Sequence, residues 1–155
     1  MNKKNISSFS SFALVIVFFV IGFFLINQPV KNLSPENIKY VRLTGANIKV
    51  DLALTDAERQ KGLGGRNELK TNEGMLFVFE HPGKYYFWMK GMNFPIDIVW
   101  ITEDMKVIYI KKDAWPESYP ETFGPDINAK YILEINAGFS DKNNLKEGDR
   151  VLFVY

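Results

Sequence analysis

The chain has 155 residues, 46% of them hydrophobic and 24% charged, with 19 Lys and Arg, 18 Asp and Glu and no cysteine. That length accommodates one domain behind a short leader, and the missing cysteines exclude a disulfide framework, a thiolate metal site and a thiol nucleophile. Two of the 19 basic residues, Lys3 and Lys4, precede everything else, leaving 17 against 18 acidic residues; that balance argues against nucleic acid, which needs a clustered basic face.

Lys3 and Lys4 lead into an apolar run at residues 12–26, with Pro29 shortly after it. About 20 apolar residues are needed to cross a hydrocarbon core of roughly 30 Å. Counted back through the serines, whose hydroxyls can bond the helix backbone, the run reaches a thin, tilted span over residues 9–26. It ends Leu25-Ile26-Asn27-Gln28-Pro29, without the small-residue cleavage site of a secretory signal. An uncleaved single-pass anchor is therefore expected, with secretion after cleavage as the alternative. Lysines held on the cytoplasmic side put the rest of the chain outside the cytoplasm at the cell membrane. The expected organisation is an anchor at 1–30, a short linker at 31–37 and one extracytoplasmic β domain at 38–155.

Within that domain, residues 47–54 alternate, with Ile48, Val50, Leu52 and Leu54 against Lys49 and Asp51, as a half-buried strand requires. Residues 38–43 read as a weaker strand, joined to it by the turn Thr44-Gly45-Ala46-Asn47. Thr55-Asp56-Ala57-Glu58 is a capping box opening a short helix to about Lys61, and Gly62, Gly64 and Gly65 stop it. Residues 75–79 and 85–89 flank His81-Pro82-Gly83-Lys84 and predict a hairpin. Residues 96–101 and 107–110 predict a second, turning through 102–106. Residues 114–125 hold three prolines and a glycine among Trp115, Tyr119 and Phe123, and predict a long loop without regular structure. Strands at 131–135 and 151–154, with a short helix or turn near 140–144, complete the set.

The order of certain landmarks resembles a known family. They are Thr55 with Glu58, Gly62-Leu63, Arg66, Gly74-Met75-Leu76-Phe77-Val78-Phe79, Phe87-Trp88-Met89-Lys90, Pro95-Ile96-Asp97, Lys130-Tyr131-Ile132-Leu133-Glu134, Ala137-Gly138 and Gly148-Asp149-Arg150-Val151. Together they look like domain-of-unknown-function family 192, over about residues 48–153. The chain departs from the family's pattern after Lys90, where Gly91 stands in place of a frequent asparagine. The resemblance implies a compact, mainly β domain that is often exported. It implies no activity, since the family has none assigned.

The residues must then be weighed by their own chemistry. His81 is the sole histidine and sits in a predicted turn, without the partners that a metal or general-base role needs. Asp97 and Glu134 each interrupt an apolar strand, where a carboxylate must be paired or hydrogen-bonded or its pKa rises. Joined across a cleft, the two would form a general acid and base for glycoside hydrolysis. Held apart, they would be structural, with Arg66 a bidentate partner and Asp97 a cap for the amides of residues 91–93. Trp88 and Trp100 read as core, whereas Trp115, Tyr119 and Phe123 in the proline-rich loop either pin that loop by their own burial, bind sugars or peptides, or rest at the headgroup level of the membrane.

The expectation is thus a mainly β, antiparallel barrel-like or sandwich-like domain with two short helices behind one transmembrane helix. Its expected role is a non-catalytic binding or accessory module of the cell envelope, without cofactor or metal, whose ligand-binding candidates are Arg66, Trp88, Asp97, Trp115, Tyr119 and Glu134. The alternatives are a polysaccharide hydrolase using Asp97 and Glu134, and a membrane-proximal protein–protein interaction domain.

Overall fold

A computed structural model describes residues 34–155. The predicted anchor lies outside the described residues, among which no helix is long and apolar enough to cross a membrane. A 3₁₀ turn at Pro35–Asn37 leads into β1 (Tyr40–Leu43) and β2 (Ala46–Ala53), an antiparallel hairpin. Its two turn residues, Thr44 and Gly45, both take positive φ, the mirror-image turn that matches strand twist. The predicted four-residue turn is therefore two residues long.

Helix α1 (Asp56–Lys61) follows, and its start is set by the expected capping box: Glu58 N–H donates to Thr55 Oγ1, and Thr55 N–H donates to Glu58 Oε2 at 2.8 Å. The amides of Thr55 and Leu54 hold the Glu58 carboxyl below its usual range. Gly62 ends the helix at φ 50°, ψ −138°, a conformation that requires glycine. The crossover through α1 sets β3 (Glu73–Gly83) parallel to β2, so the sheet is not wholly antiparallel as expected.

The predicted hairpin about His81-Pro82-Gly83-Lys84 does not form. Strand β3 runs on through His81 and Pro82 to Gly83, with a register shift between Val78 and Gly83. Both its edges are taken, by β2 on one side and by β8 (Ala129–Asn136) on the other, so residues 85–89 find no free edge on β3. They turn away, and β4 (Phe87–Trp88) pairs with β7 (Thr122–Phe123) in a separate two-stranded ribbon. The proline-rich segment thus holds a short strand, and a 3₁₀ turn at Pro116–Ser118, where none was expected.

The second hairpin forms as the sequence predicts. Strand β5 (Ile96–Ile101) pairs with β6 (Val107–Ala114), which extends past its expected end at Ile110. Helix α2 (Phe139–Lys142) and β9 (Val151–Val154) complete the domain. The large sheet runs β6-β5-β8-β3-β2-β1-β9 and curls into a half-barrel. Its edge strands meet at one end through a Lys106–Arg150 bridge, with Val107 N–H bonded to Asp149 O and Val151 N–H to Met105 O, each at 2.9 Å.

Each face of this sheet carries a core. Inside the curve lie Val41, Leu43, Ile48, Leu76, Val99, Leu133, Ile135 and Val151. On the outer face Met75, Phe77, Ile98, Trp100 and Ile132 are roofed by Leu63, Leu69, Met89, Met92 and Phe123 from the loops. Every residue of β5 is buried in consequence, and all apolar ones contribute to one core or the other, which is how a sheet covered on both sides reads in sequence.

Candidate functional site

Strand register decides where the two interior acids go. Asp97 pairs with Ile135 and Glu134 with Ile98, and directly opposed residues share a face. Asp97 therefore lies with Val99 and Ile135 inside the half-barrel, and Glu134 lies with Ile98 and Met75 on the outer face. The sheet separates them, so they share no cleft.

Asp97 is fully buried and fully employed. Its Oδ1 accepts from the backbone N–H groups of Asp113, at 3.0 Å, and Gly138, at 3.2 Å; its Oδ2 accepts from Ser140 N–H at 2.8 Å. The carboxylate ties the end of β6 and the start of α2 to β5, which is the structural role, although the amides are not those of residues 91–93. Arg66 pairs with neither acid. Its guanidinium meets Asp51 Oδ2 at 2.8 Å, half-exposed at the surface.

Glu134 is only 4% exposed, and its Oε2 has no hydrogen-bond partner. The backbone of Leu63 bonds to the carboxyl, and the positive charge of Arg66 lies near enough to favour ionisation; burial outweighs both and pushes the pKa up to about 8. At neutral pH this side chain is a neutral acid with an O–H to donate.

Above it opens a cavity of about 300 Å³, bounded by Lys61, Gly62 and Leu63 at the end of α1, by Phe77 and Phe79 of β3 and by residues 85–88. Gly62 is what lets it reach the acid: a Cβ there would stand 3.3 Å from Phe77 Cζ and 3.7 Å from Glu134 Oε2. Residues 85–88 are fixed from beneath, because Trp100 Nε1–H donates to Tyr85 O at 2.8 Å and Tyr85 stacks on Phe79. At the mouth are three cations. Arg59 is spent within the fold, bonding to Asp56, Leu54 O and Val78 O. Lys90 lies 5.5 Å over the Trp88 ring, and neither it nor Lys61 has an ion pair among the described residues.

Of the sequence candidates, Glu134 and Trp88 come together at this cavity, and Trp88 is 49% exposed rather than core. Trp115 and Tyr119 are 57% and 45% exposed, and Tyr119 meets Trp88 edge to face at 5.9 Å. Phe123 is buried, as is Trp100. Sequence reasoning did not find the other aromatic walls or Lys61 and Lys90; Tyr85, Tyr86 and Phe87, adjacent to the candidate Trp88, were the available signal, read only as a strand. His81 is exposed at the end of β3. Among the described residues no group of three His, Asp or Glu is placed to hold a metal ion.

The model of DUF192, a family described as an uncharacterized ACR, matches residues 39–153. The chain belongs to the DUF192 family. Two crystal structures share the DUF192 fold with it. One, from Sinorhizobium meliloti 1021, is named as a proposed transcription regulator; it is 30% identical over 74% of this chain and 92% of its own, with a TM-score of 0.70. The other, a protein of unknown function from Novosphingobium aromaticivorans DSM 12444, is 33% identical over 81% of this chain and 89% of its own, also at 0.70. No curated protein matches this DUF192 chain.

Proposed function

We propose that this DUF192 domain is a non-catalytic binding module that takes a small ligand in the cavity over Glu134, and that the apolar segment at residues 9–26 keeps it on the outer side of the cytoplasmic membrane. The observation that carries the binding reading is Glu134 Oε2, a buried polar atom without a partner at the floor of an open, aromatic-lined cavity. Leaving such an atom unsatisfied costs about 1–3 kcal/mol, which a bound group would recover. A hydrolase built on Asp97 and Glu134 loses its support, because their side chains face opposite sides of the sheet.

The name of the Sinorhizobium relative points to transcription. The balance of 17 basic against 18 acidic residues beyond Lys4, and an expected position outside the cytoplasm, argue against carrying that role to this chain. The exposed Trp88 and Tyr119 favour a second reading, a contact surface for a neighbouring envelope protein.

Binding is tested on the full-length protein in nanodiscs, screened against small aromatic compounds by saturation-transfer NMR. Signals that vanish in Glu134→Leu, folded by circular dichroism, are expected; signals indifferent to it would sink the cavity as the site. Protease added to spheroplasts is expected to digest everything beyond the anchor, and an intact protected chain would remove the envelope from the proposal.

A further inference from the structure

The cavity over Glu134 differs in chemistry from floor to mouth. We infer that it takes a small, flat, anionic ligand whose inner end offers a hydrogen-bond acceptor, such as a carbonyl, to the Glu134 carboxyl and whose oxyanion rests on Lys61 and Lys90. The inference rests on the binding reading above and names its ligand class.

The floor asks for an acceptor. Burial against Met75 and Ile98 favours the uncharged acid, which has one O–H, and Oε2 meets no acceptor within the described chain. A carbonyl or ring nitrogen on the ligand supplies it.

The walls ask for a flat body that is not a cation. An ammonium guest would need open ring faces, but two are already covered by the chain's own cations: Arg59 stands 5.1 Å over Phe79, and Lys90 covers Trp88. Phe79 also stacks on Tyr85, with ring centroids 3.5 Å apart. At about 300 Å³ the cavity suits a single substituted ring, at the lower end of the range for ligand pockets.

The mouth asks for an anion. The backbones of Lys61 and Lys90 converge on Gly64, where a Cβ would lie 2.9 Å from the carbonyl of Lys61 and 3.5 Å from that of Lys90. Gly65 N–H bonds to Gly91 O at 2.9 Å, and Asn93 Nδ2–H to Arg66 O at 2.8 Å, so the loops carrying the two lysines are fastened together. Both side chains are exposed and neither has a carboxylate partner among the described residues. Asp56, the remaining acid at the cavity, is held by Arg59.

Three matched probes separate these demands, measured by isothermal titration on the full-length protein at pH 6.5: 4-acetylbenzoate, 4-isopropylbenzoate, which lacks the acceptor, and 4-acetylbenzylamine, which reverses the charge. The ionisable groups facing Glu134 across the cavity are Asp56, Arg59, Lys61, Tyr85, Tyr86 and Lys90, with Arg66 acting from the adjoining loop. Expected is binding of 4-acetylbenzoate about tenfold tighter than either analogue, weakening about tenfold by pH 9 as Glu134 ionises. Glu134→Gln keeps an N–H donor, so binding should persist at pH 6.5 and lose that pH dependence. The surface double variant Lys61→Ala, Lys90→Ala should erase the preference for the anion over the amine. Tighter binding of the amine, equal binding of the isopropyl analogue, or an affinity flat to pH 9 would each overturn the ligand class while leaving a binding cavity. Failure of all three to bind would overturn the cavity reading itself, and this inference with it.

Discussion

Glu134 and Asp97 are two buried acids that the fold treats in opposite ways. Asp97 is met by three backbone donors, which satisfy both its carboxyl oxygens. Asp97→Asn would turn an amide N–H toward those donors, and a loss of about 1–3 kcal/mol in urea unfolding is expected. Glu134 has one backbone partner and a bare oxygen, so it stays protonated well past the range where an exposed glutamate ionises. From the ordinary value of 4.5 up to about 8 the folded chain holds a proton that the unfolded chain has released, so stability falls as pH rises through that window. The contribution of Glu134 is fully present below about pH 4.5 and lost above about pH 8, a swing on the order of a few kcal/mol. Glu134→Gln cannot ionise, and its urea midpoint should lose this decline between pH 5 and 8. That both acids were unusual is legible in sequence, since each breaks an apolar strand. Their separation is not legible, because it depends on which residue of β5 sits opposite which residue of β8.

At the scale of elements, strand alternation and caps were readable, and pairing was not. The capping box of α1, the β5–β6 hairpin and the 151–154 strand all follow from local pattern. The error at His81-Pro82-Gly83 came from treating a proline and a glycine as a turn, when both edges of β3 are committed, one to β2 through the α1 crossover and the other to β8, far off in the chain. Trp88 was misjudged for the same reason, since core placement assumed a place in the large sheet. Gly74 marks how close the packing around β3 is: a Cβ there would stand 2.7 Å from the carbonyl of Glu134, with Ile48 and Ile135 methyls at 3.1 Å. Backbone cannot yield as a flexible side chain does, so Gly74→Ala should destabilise by about 1–3 kcal/mol, read from the denaturant midpoint. Because Gly74 pairs with Ile135, next to Glu134, the same substitution should also disturb the Glu134 resonance.

For the whole molecule, the half-barrel depends on its edges meeting. Val107 N–H, Gly148 N–H and Val151 N–H all bond across the junction of β6 and β9. These amides are expected to exchange with solvent as slowly as those of β5, and fast exchange would mean that the junction opens on its own. That the domain is mainly β with two short helices was legible from the run of short strands. The closure was not, since it joins residues 106 and 150 through a single bridge. Between these edges, β5 and β8 form a partition one layer thick, with the fully hydrogen-bonded Asp97 carboxyl behind it and the unpartnered Glu134 oxygen in front. A ligand of the proposed kind, entering the front chamber, would leave untouched the three amide hydrogen bonds by which Asp97 rivets β6 and α2 to β5 behind it.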